Sequence, residues 1–292
     1  MAGLKEIRTR IATVKTTRQV TSAMKMVSAA KLKRAQDAIM QIRPYADKLH
    51  QILMTLSASL ENAEDSVYTQ PREPENVLVI LLTSNRGLCG GFNAAISKKA
   101  VKMVQSKYPE QQKNGTLEFL CIGKQGQRQM KHREMKVAGN KNELFDELSF
   151  DNVSAVASEV MKDFREGKYD RVELVYNQFK NAAMQEQVHE QFLPVKMETE
   201  EAAETNLDFI YEPSKEYIVK ELIPRSLKIQ FYKAMLDSNA AEHGARMTAM
   251  HQATDNATEL LGDLTLQYNK ARQATITGEI LEIVSGAEAL NG

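Results

Sequence analysis

From Arg225 to Ser285 the chain runs without a proline, and from Leu4 to Arg43 it holds neither glycine nor proline. These two proline-free stretches, set at opposite ends, constrain the fold more than any other feature. At about 1.5 Å per residue, seventy helical residues make a rod on the order of 100 Å long. That exceeds the diameter of a globule of this chain length. A rod needs support along its length, and the comparable helix is the one at the other end. The two ends are therefore expected to pair as an antiparallel coiled coil, with the intervening chain inserted between them.

The apolar pattern supports this. Leu4, Ile7, Ile11 and Val14 have the three-four spacing of a coiled-coil seam, which is then expected to change phase through Val20, Met24 and Val27. Pro44 is a candidate kink, after which the pattern resumes at Leu49, Ile52, Leu53 and Leu56. The C-terminal seam reads Met247, Met250, Thr254, Ala257, Leu261, Leu264, Tyr268, Ala271 and Thr275, with Pro224 as an early kink. Alanine and threonine stand where a globular core would place leucine, so the two backbones can approach closely. Sparse aromatics, no tryptophan and 14 methionines suit long helices better than a dense ring-filled core.

Between the ends the pattern changes. "NVLVILLTS" (76–84) is short and continuously apolar, as a strand covered on both faces must be. A glycine-rich turn and a helix over Phe92–Lys107 follow it. "TLEFLCIG" (116–123) is a second strand, and Lys124–His132 a second helix. "VSAVASEVMKDFREG" (153–167) is an amphipathic helix closing at Gly167, "DRVELVYNQF" (170–179) another strand and "EQVHEQFLPV" (186–195) a candidate for one more. The alternation implies βαβ units and a mostly parallel sheet. "ENAEDSVYTQPREPEN" (61–76) reads as a linker and the acidic run "METEEAAETN" (197–206) as a mobile loop. The expected fold is α+β overall: long N- and C-terminal helices forming an antiparallel coiled coil, with an inserted Rossmann-like α/β domain. The boundaries are residues 1–60, 76–195 and 210–288.

Charge is uneven although the whole chain is formally neutral. Residues 1–50 hold eleven Lys/Arg against three acids, a net of +8, so the rest carries −8. A solvated basic face, an acidic partner loop and nucleic acid all fit such a bias. Stacking aromatics are missing from that helix apart from Tyr45, which argues against nucleic acid. Its apolar face of Ile, Val, Met and Ala is poor for lying in a membrane surface. The longest apolar run, "VLVILL" (77–82), is too short to span a bilayer. The chain opens on no apolar signal region, and Cys89 and Cys121 form no disulfide framework, so a reducing, cytosolic setting is expected.

"TSNRGLCGGFN" (83–93) sits at a strand-to-helix turn, where nucleotide-binding folds cradle phosphate. It has neither the Walker spacing nor G-x-G-x-x-G. Cys89 would need a histidine and an orienting partner to act as a nucleophile, and nothing places His132 or His189 beside it. The five histidines (His50, His132, His189, His243, His251) are scattered without metal-ligand spacing. Glu279 and Glu282 read as solvated helix charges. No catalytic, cofactor or metal site is expected.

"GLKEIRTRIATVKTTRQVTSAMKMVSAAKLKRAQ" (3–36), "SNRGLCGGFN" (84–93) and "YNKARQATITGEILEIVSGAEAL" (268–290) together resemble the gamma subunit of F-type ATP synthase. The likeness covers roughly residues 1–60, 80–95 and 220–288, with 198–206 as lineage-specific variation. It implies a non-catalytic rotor shaft: the coiled coil inside a ring of three alpha and three beta subunits, the α/β domain below it with the epsilon subunit on the c-ring of Fo. Catalysis would belong to the beta subunits. No nucleic acid and no membrane insertion are implied; the place is peripheral, on the cytoplasmic face of the bacterial inner membrane. By the resemblance Met24 and Lys25 face an acidic loop of a beta subunit, and Arg246, Gln273, Thr277 and Glu279 bond to the catch region of the ring. Arg8, Arg10 and Lys15 are further ring contacts, and "ILEIVSGAEAL" (280–290) is a tip in an apolar bearing. The inserted cysteine pair of chloroplast members is missing, and no transit peptide precedes the first helix, which favours the bacterial type. The alternative is a helical scaffold subunit of another complex.

Overall fold

The computed structural model describes residues 3–58, 67–195 and 215–291. The acidic run 197–206, residues 61–66 of the 61–76 linker and the side chains of Leu53 and Leu56 lie outside the described residues. Two long helices bound the fold, α1 (Leu4–Ala58) and α6 (Lys215–Asn291). Pro44 and Pro224 both lie inside these helices, which continue through them.

Between them the elements run β1 (Val77–Leu82), α2 (Phe92–Lys107), α3 (Pro109–Asn114), β2 (Leu117–Ile122), α4 (Lys124–His132), β3 (Val137–Asn140), α5 (Phe150–Arg165), β4 (Arg171–Phe179) and β5 (Gln185–Leu193). A single 3-10 turn, Asn142–Phe145, precedes α5. The sheet order is β3-β2-β1-β4-β5, parallel throughout except for β5, which runs antiparallel to β4.

The chain divides into two compact units, residues 1–28 with 247–292, and residues 29–246. In the second unit β1 is buried over its whole length, as its unbroken apolar run requires. Leu78, Ile80 and Leu82 point to one face, where α5 and the start of α6 pack: Val153, Val160 and Phe164 from α5, Ile223, Leu227, Phe231 and Met235 from α6. Val77, Val79 and Leu81 point to the other, against Ile96, Ala100 and Val104 of α2 and Met130 of α4. The four-residue spacing of Ile223, Leu227, Phe231 and Met235 thus serves the sheet. Helix α5 starts where the Ser149 side chain accepts the Asn152 amide, and it stops before Gly167 at φ 78°. Strand β3 has no apolar run to announce it, and its residues alternate between half-buried and exposed.

In the first unit the two helices meet at Thr254, whose hydroxyl donates to the Thr21 hydroxyl at 2.8 Å. Met250, Ala257 and Leu264 are buried, and Met247, Thr254, Leu261, Tyr268 and Ala271 half-buried, so the C-terminal seam follows the expected residues as far as Ala271. Thr275 is exposed. On α1 the expected change of phase does not occur. Val20 and Val27 are 52% and 58% exposed. The covered line runs Ile7, Ile11, Val14, Arg18, Thr21, Lys25 and Ser28, alternating steps of four and three. Leu32, Ala35 and Ile39 of the second unit keep the same spacing. The sequence pattern followed apolar bulk, whereas the contact follows small side chains: Thr21 and Ser28 fit a close approach that valine would widen.

Candidate functional site

Two places carry the residues singled out by the sequence: the 83–93 turn in the sheet unit, and the faces of the two helices. The turn leaves β1 and enters α2. At its start the Thr83 hydroxyl accepts the Gly126 amide at 2.9 Å and lies 3.2 Å from the Gly123 carbonyl. A Cβ on Gly123, at φ 113°, would stand 2.4 Å from the Thr83 carbonyl oxygen, so backbones rather than a ligand fill this crevice. The Ser84 amide donates to Asn93 Oδ1 at 3.0 Å, and Asn93 Nδ2 donates to Ser84 Oγ at 2.8 Å and to Cys89 Sγ at 3.2 Å. Side chains of the turn therefore occupy the start of α2. Burial pushes the Cys89 thiol above its ordinary value, opposite to what a nucleophile needs.

The turn also lies against α6. Cys89 and Phe92 pack on Ala241, with Phe179 and Ala245 beside them. The Ala182 carbonyl oxygen is 3.1 Å from where a Cβ on Gly244 would be, so that glycine permits a close approach. Arg246, 7% exposed, reaches the turn directly. Its Nη2 donates to the Arg86 carbonyl at 3.0 Å and to the Gly87 carbonyl at 3.3 Å, and its Nε to the latter at 3.4 Å. Its Nη1 pairs with Glu242 at 2.6 Å and lies 3.3 Å from His243 Nδ1. Desolvation, helped by the Arg246 charge, depresses His243 to about 4, so the ring is neutral and can accept from the guanidinium.

Nine residues before Arg246 on α6, Asp237 is fully buried and neither carboxylate oxygen has a hydrogen-bond partner. Arg43 stands 3.8 Å away. Burial pushes the carboxyl up to about 6 despite the attraction of Arg43, Lys233 and Lys180. Among the described residues no cluster of three His, Cys, Asp or Glu could hold a metal.

The other candidates lie on the helix pair. Met24 and Lys25 are half-buried on α1, and Gln273, Thr277 and Glu279 are exposed on α6. The structure does not bring the two sets together. Thr21 pairs with Thr254, and Gln273 lies nineteen residues further on, about 30 Å along a helix. Arg8, Arg10 and Lys15 are exposed, with Arg10 paired to Glu6 at 2.8 Å. Arg246 belongs to the other unit, and its donors are taken by groups of its own chain. No residue-type signal marks the clasp between Arg246 and the turn, because its acceptors are main-chain carbonyls 159 and 160 residues away. The Glu242/Arg246 spacing of four was the one visible signal. Beyond Ala271, α6 exposes Ile276, Ile280, Leu281, Ile283 and Val284, from 46% to 71% of each side chain.

Long helices at both ends and, between them in sequence, a central mixed sheet with a turn closed by its own side chains define the class of fold. The comparisons then specify the family. The family model described as ATP synthase matches residues 3–290. The chain is 54% identical to the ATP synthase gamma chain of Cytophaga hutchinsonii and 55% identical to that of Christiangramia forsetii, in each case over 100% of both chains. Among solved structures it is similar to a chain of the Euglena gracilis mitochondrial ATP synthase (OSCP/F1/c-ring), with TM-score 0.70, 22% identity and coverage of 98% of this chain and 94% of that one. A chain of the rotor of the same enzyme gives TM-score 0.65 at 20% identity, covering 94% and 98%. The chain belongs to the gamma-subunit family of F-type ATP synthase.

Proposed function

We propose that the chain is the shaft of a rotary ATP synthase and that it acts by contact alone. Helices α1 and α6 would form an antiparallel coiled coil in the bore of a ring of three alpha and three beta subunits. The sheet unit would stand below, with the epsilon subunit, on the c-ring of Fo. Its β3-β2-β1-β4 order is that of half a doubly wound fold, which supports the Rossmann-like reading. Proton flow would turn the c-ring, and the shaft would take each beta site in turn through open, loose and tight states. A ligand shifts such an equilibrium only by binding the states unequally, and here the shaft plays the ligand. Catalysis would belong to the beta subunits. Among the described residues no helix is long and apolar enough to cross a membrane. A peripheral place on the cytoplasmic face of the bacterial inner membrane fits that observation.

The observation that carries this reading is the far end of α6, where Ile276, Ile280, Leu281, Ile283 and Val284 stand exposed in a row. A water-soluble chain rarely leaves such a stretch uncovered unless another chain covers it. An apolar collar in the ring would be its bearing. Met24 and Lys25 would meet an acidic loop of a beta subunit, and Gln273, Thr277 and Glu279 the catch region, with Arg8, Arg10 and Lys15 as further basic contacts. Arg246 would join them only by giving up bonds within its own chain.

The test mixes this chain with alpha and beta subunits from the same source and measures particle mass and MgATP hydrolysis. A particle of three alpha, three beta and one shaft with strongly stimulated turnover is expected. A ring that ignores the chain would leave the scaffold alternative. Met24→Lys adds a cation opposite the acidic loop and is expected to lower proton pumping more than hydrolysis in membranes; equal loss of both would remove Met24 from the interface.

A further inference from the structure

We propose that Arg246 is a positioning residue that clasps the 84–93 turn onto α6, fixing the place from which the turn presents Leu88. Leu88 is 65% exposed at φ 61°, a left-handed backbone conformation that a non-glycine residue rarely adopts. Strained backbone of this kind persists only where its surroundings over-determine it. The carbonyls of the two residues immediately before Leu88, Arg86 and Gly87, are the two that Arg246 binds. A planar guanidinium is suited to the task. It carries five N–H donors in a fixed fork, so it can hold two successive carbonyls with one edge while Nη1 takes Glu242. The Ser84 hydroxyl supports the Arg86 carbonyl from inside the turn at 2.6 Å. The neutral His243 ring at 3.3 Å gives Nη1 a second acceptor.

The partners share one burial. Glu242, His243 and Arg246 are 7%, 9% and 7% exposed, so removing the cation strands a buried carboxylate and two carbonyls together. The turn and α6 therefore move as one piece while the clasp is closed. With it open, the turn keeps the Ser84–Asn93 bonds at its root and loses its hold at the tip.

The two cysteines make this measurable. Cys89 is in the turn, 2% exposed and packed on Ala241 of α6. Cys121 is in β2, fully buried, with its thiol pushed up to about 12. In the full-length chain, Arg246→Ala is expected to raise the rate at which a maleimide labels Cys89 by about tenfold or more, with Cys121 unchanged. Arg246 favours the Cys89 thiolate, so its loss by electrostatics alone would slow labelling. A rise therefore reports release of the turn. Arg246→Lys is expected to fall between, since an ammonium keeps the charge but cannot fork across two carbonyls. Val153→Ala, on the buried face of α5, serves as a general destabilisation and is expected to speed both cysteines together. Unchanged Cys89 labelling in Arg246→Ala would overturn the proposal. Parallel acceleration of Cys121, as in the Val153 control, would overturn it equally.

Discussion

The sheet unit and the helix pair treat apolar side chains in opposite ways. In the sheet unit all six residues of β1 are buried, and Phe119, Phe164 and Phe231 are wholly enclosed. In the helix pair the seam mixes small residues (Thr21, Ser28, Thr254, Ala257, Ala271) with scattered larger ones such as Ile7, Met250 and Leu264. Ile280, Leu281 and Ile283 face outward there. One region buries its apolar surface within its own fold, and the other leaves much of it exposed. A deletion in the sheet unit should thus show in the isolated chain, whereas a deletion at the far end of α6 should show only in the assembled complex.

The largest effect that sharpens this contrast is expected from Phe119→Ala. Emptying a fully enclosed ring site costs about 3–5 kcal/mol, read as a lower midpoint in urea. Next is Asp237→Asn, which acts in the other direction. The native carboxyl titrates near 6, against an ordinary 3.8, so between those values the native state holds the proton more tightly than the unfolded chain. Stability from this group is present at low pH and is lost as pH rises towards 6. Above that the buried anion costs on the order of 2–3 kcal/mol, which asparagine removes. The gain in unfolding free energy should be full at pH 8 and shrink below pH 6; a constant gain would contradict the account. Thr254→Leu overfills the helix seam, costing about 1–3 kcal/mol of local pairing, measured as faster amide exchange across residues 247–271. Smallest is Ile283→Ala, expected within about 0.5 kcal/mol on the isolated chain, because the side chain is 71% exposed. A large loss there would mean that the far end of α6 has a partner within its own chain.

The sequence displayed those parts of the fold that depend on local pattern. A continuous apolar run became β1, the long proline-free stretches at both ends became most of α1 and α6, and Gly167 ended α5. It hid β3, four residues with no apolar run, and it misled where contact is made by small polar groups. Val20 and Val27 looked like the seam because they are bulky, yet Thr21 and Ser28 are the covered residues. The glycine-rich stretch was legible as a strand-to-helix turn, but its grip on α6 was not. Main-chain acceptors carry no residue-type signal, so Arg246 could be singled out only by resemblance. The exposed candidates Gln273, Thr277 and Glu279 are still less legible, since a helix residue that waits for another chain looks like any solvated one.

Rotation is the central claim and can be watched directly. A bead on Lys113→Cys, exposed on α3 while Cys89 and Cys121 are buried, would report the motion of this chain in a complex whose ring is fixed to glass. On adding MgATP the bead is expected to turn in one direction with three stops per revolution, one for each beta site. Sustained hydrolysis by the same particles with a stationary bead would contradict the account.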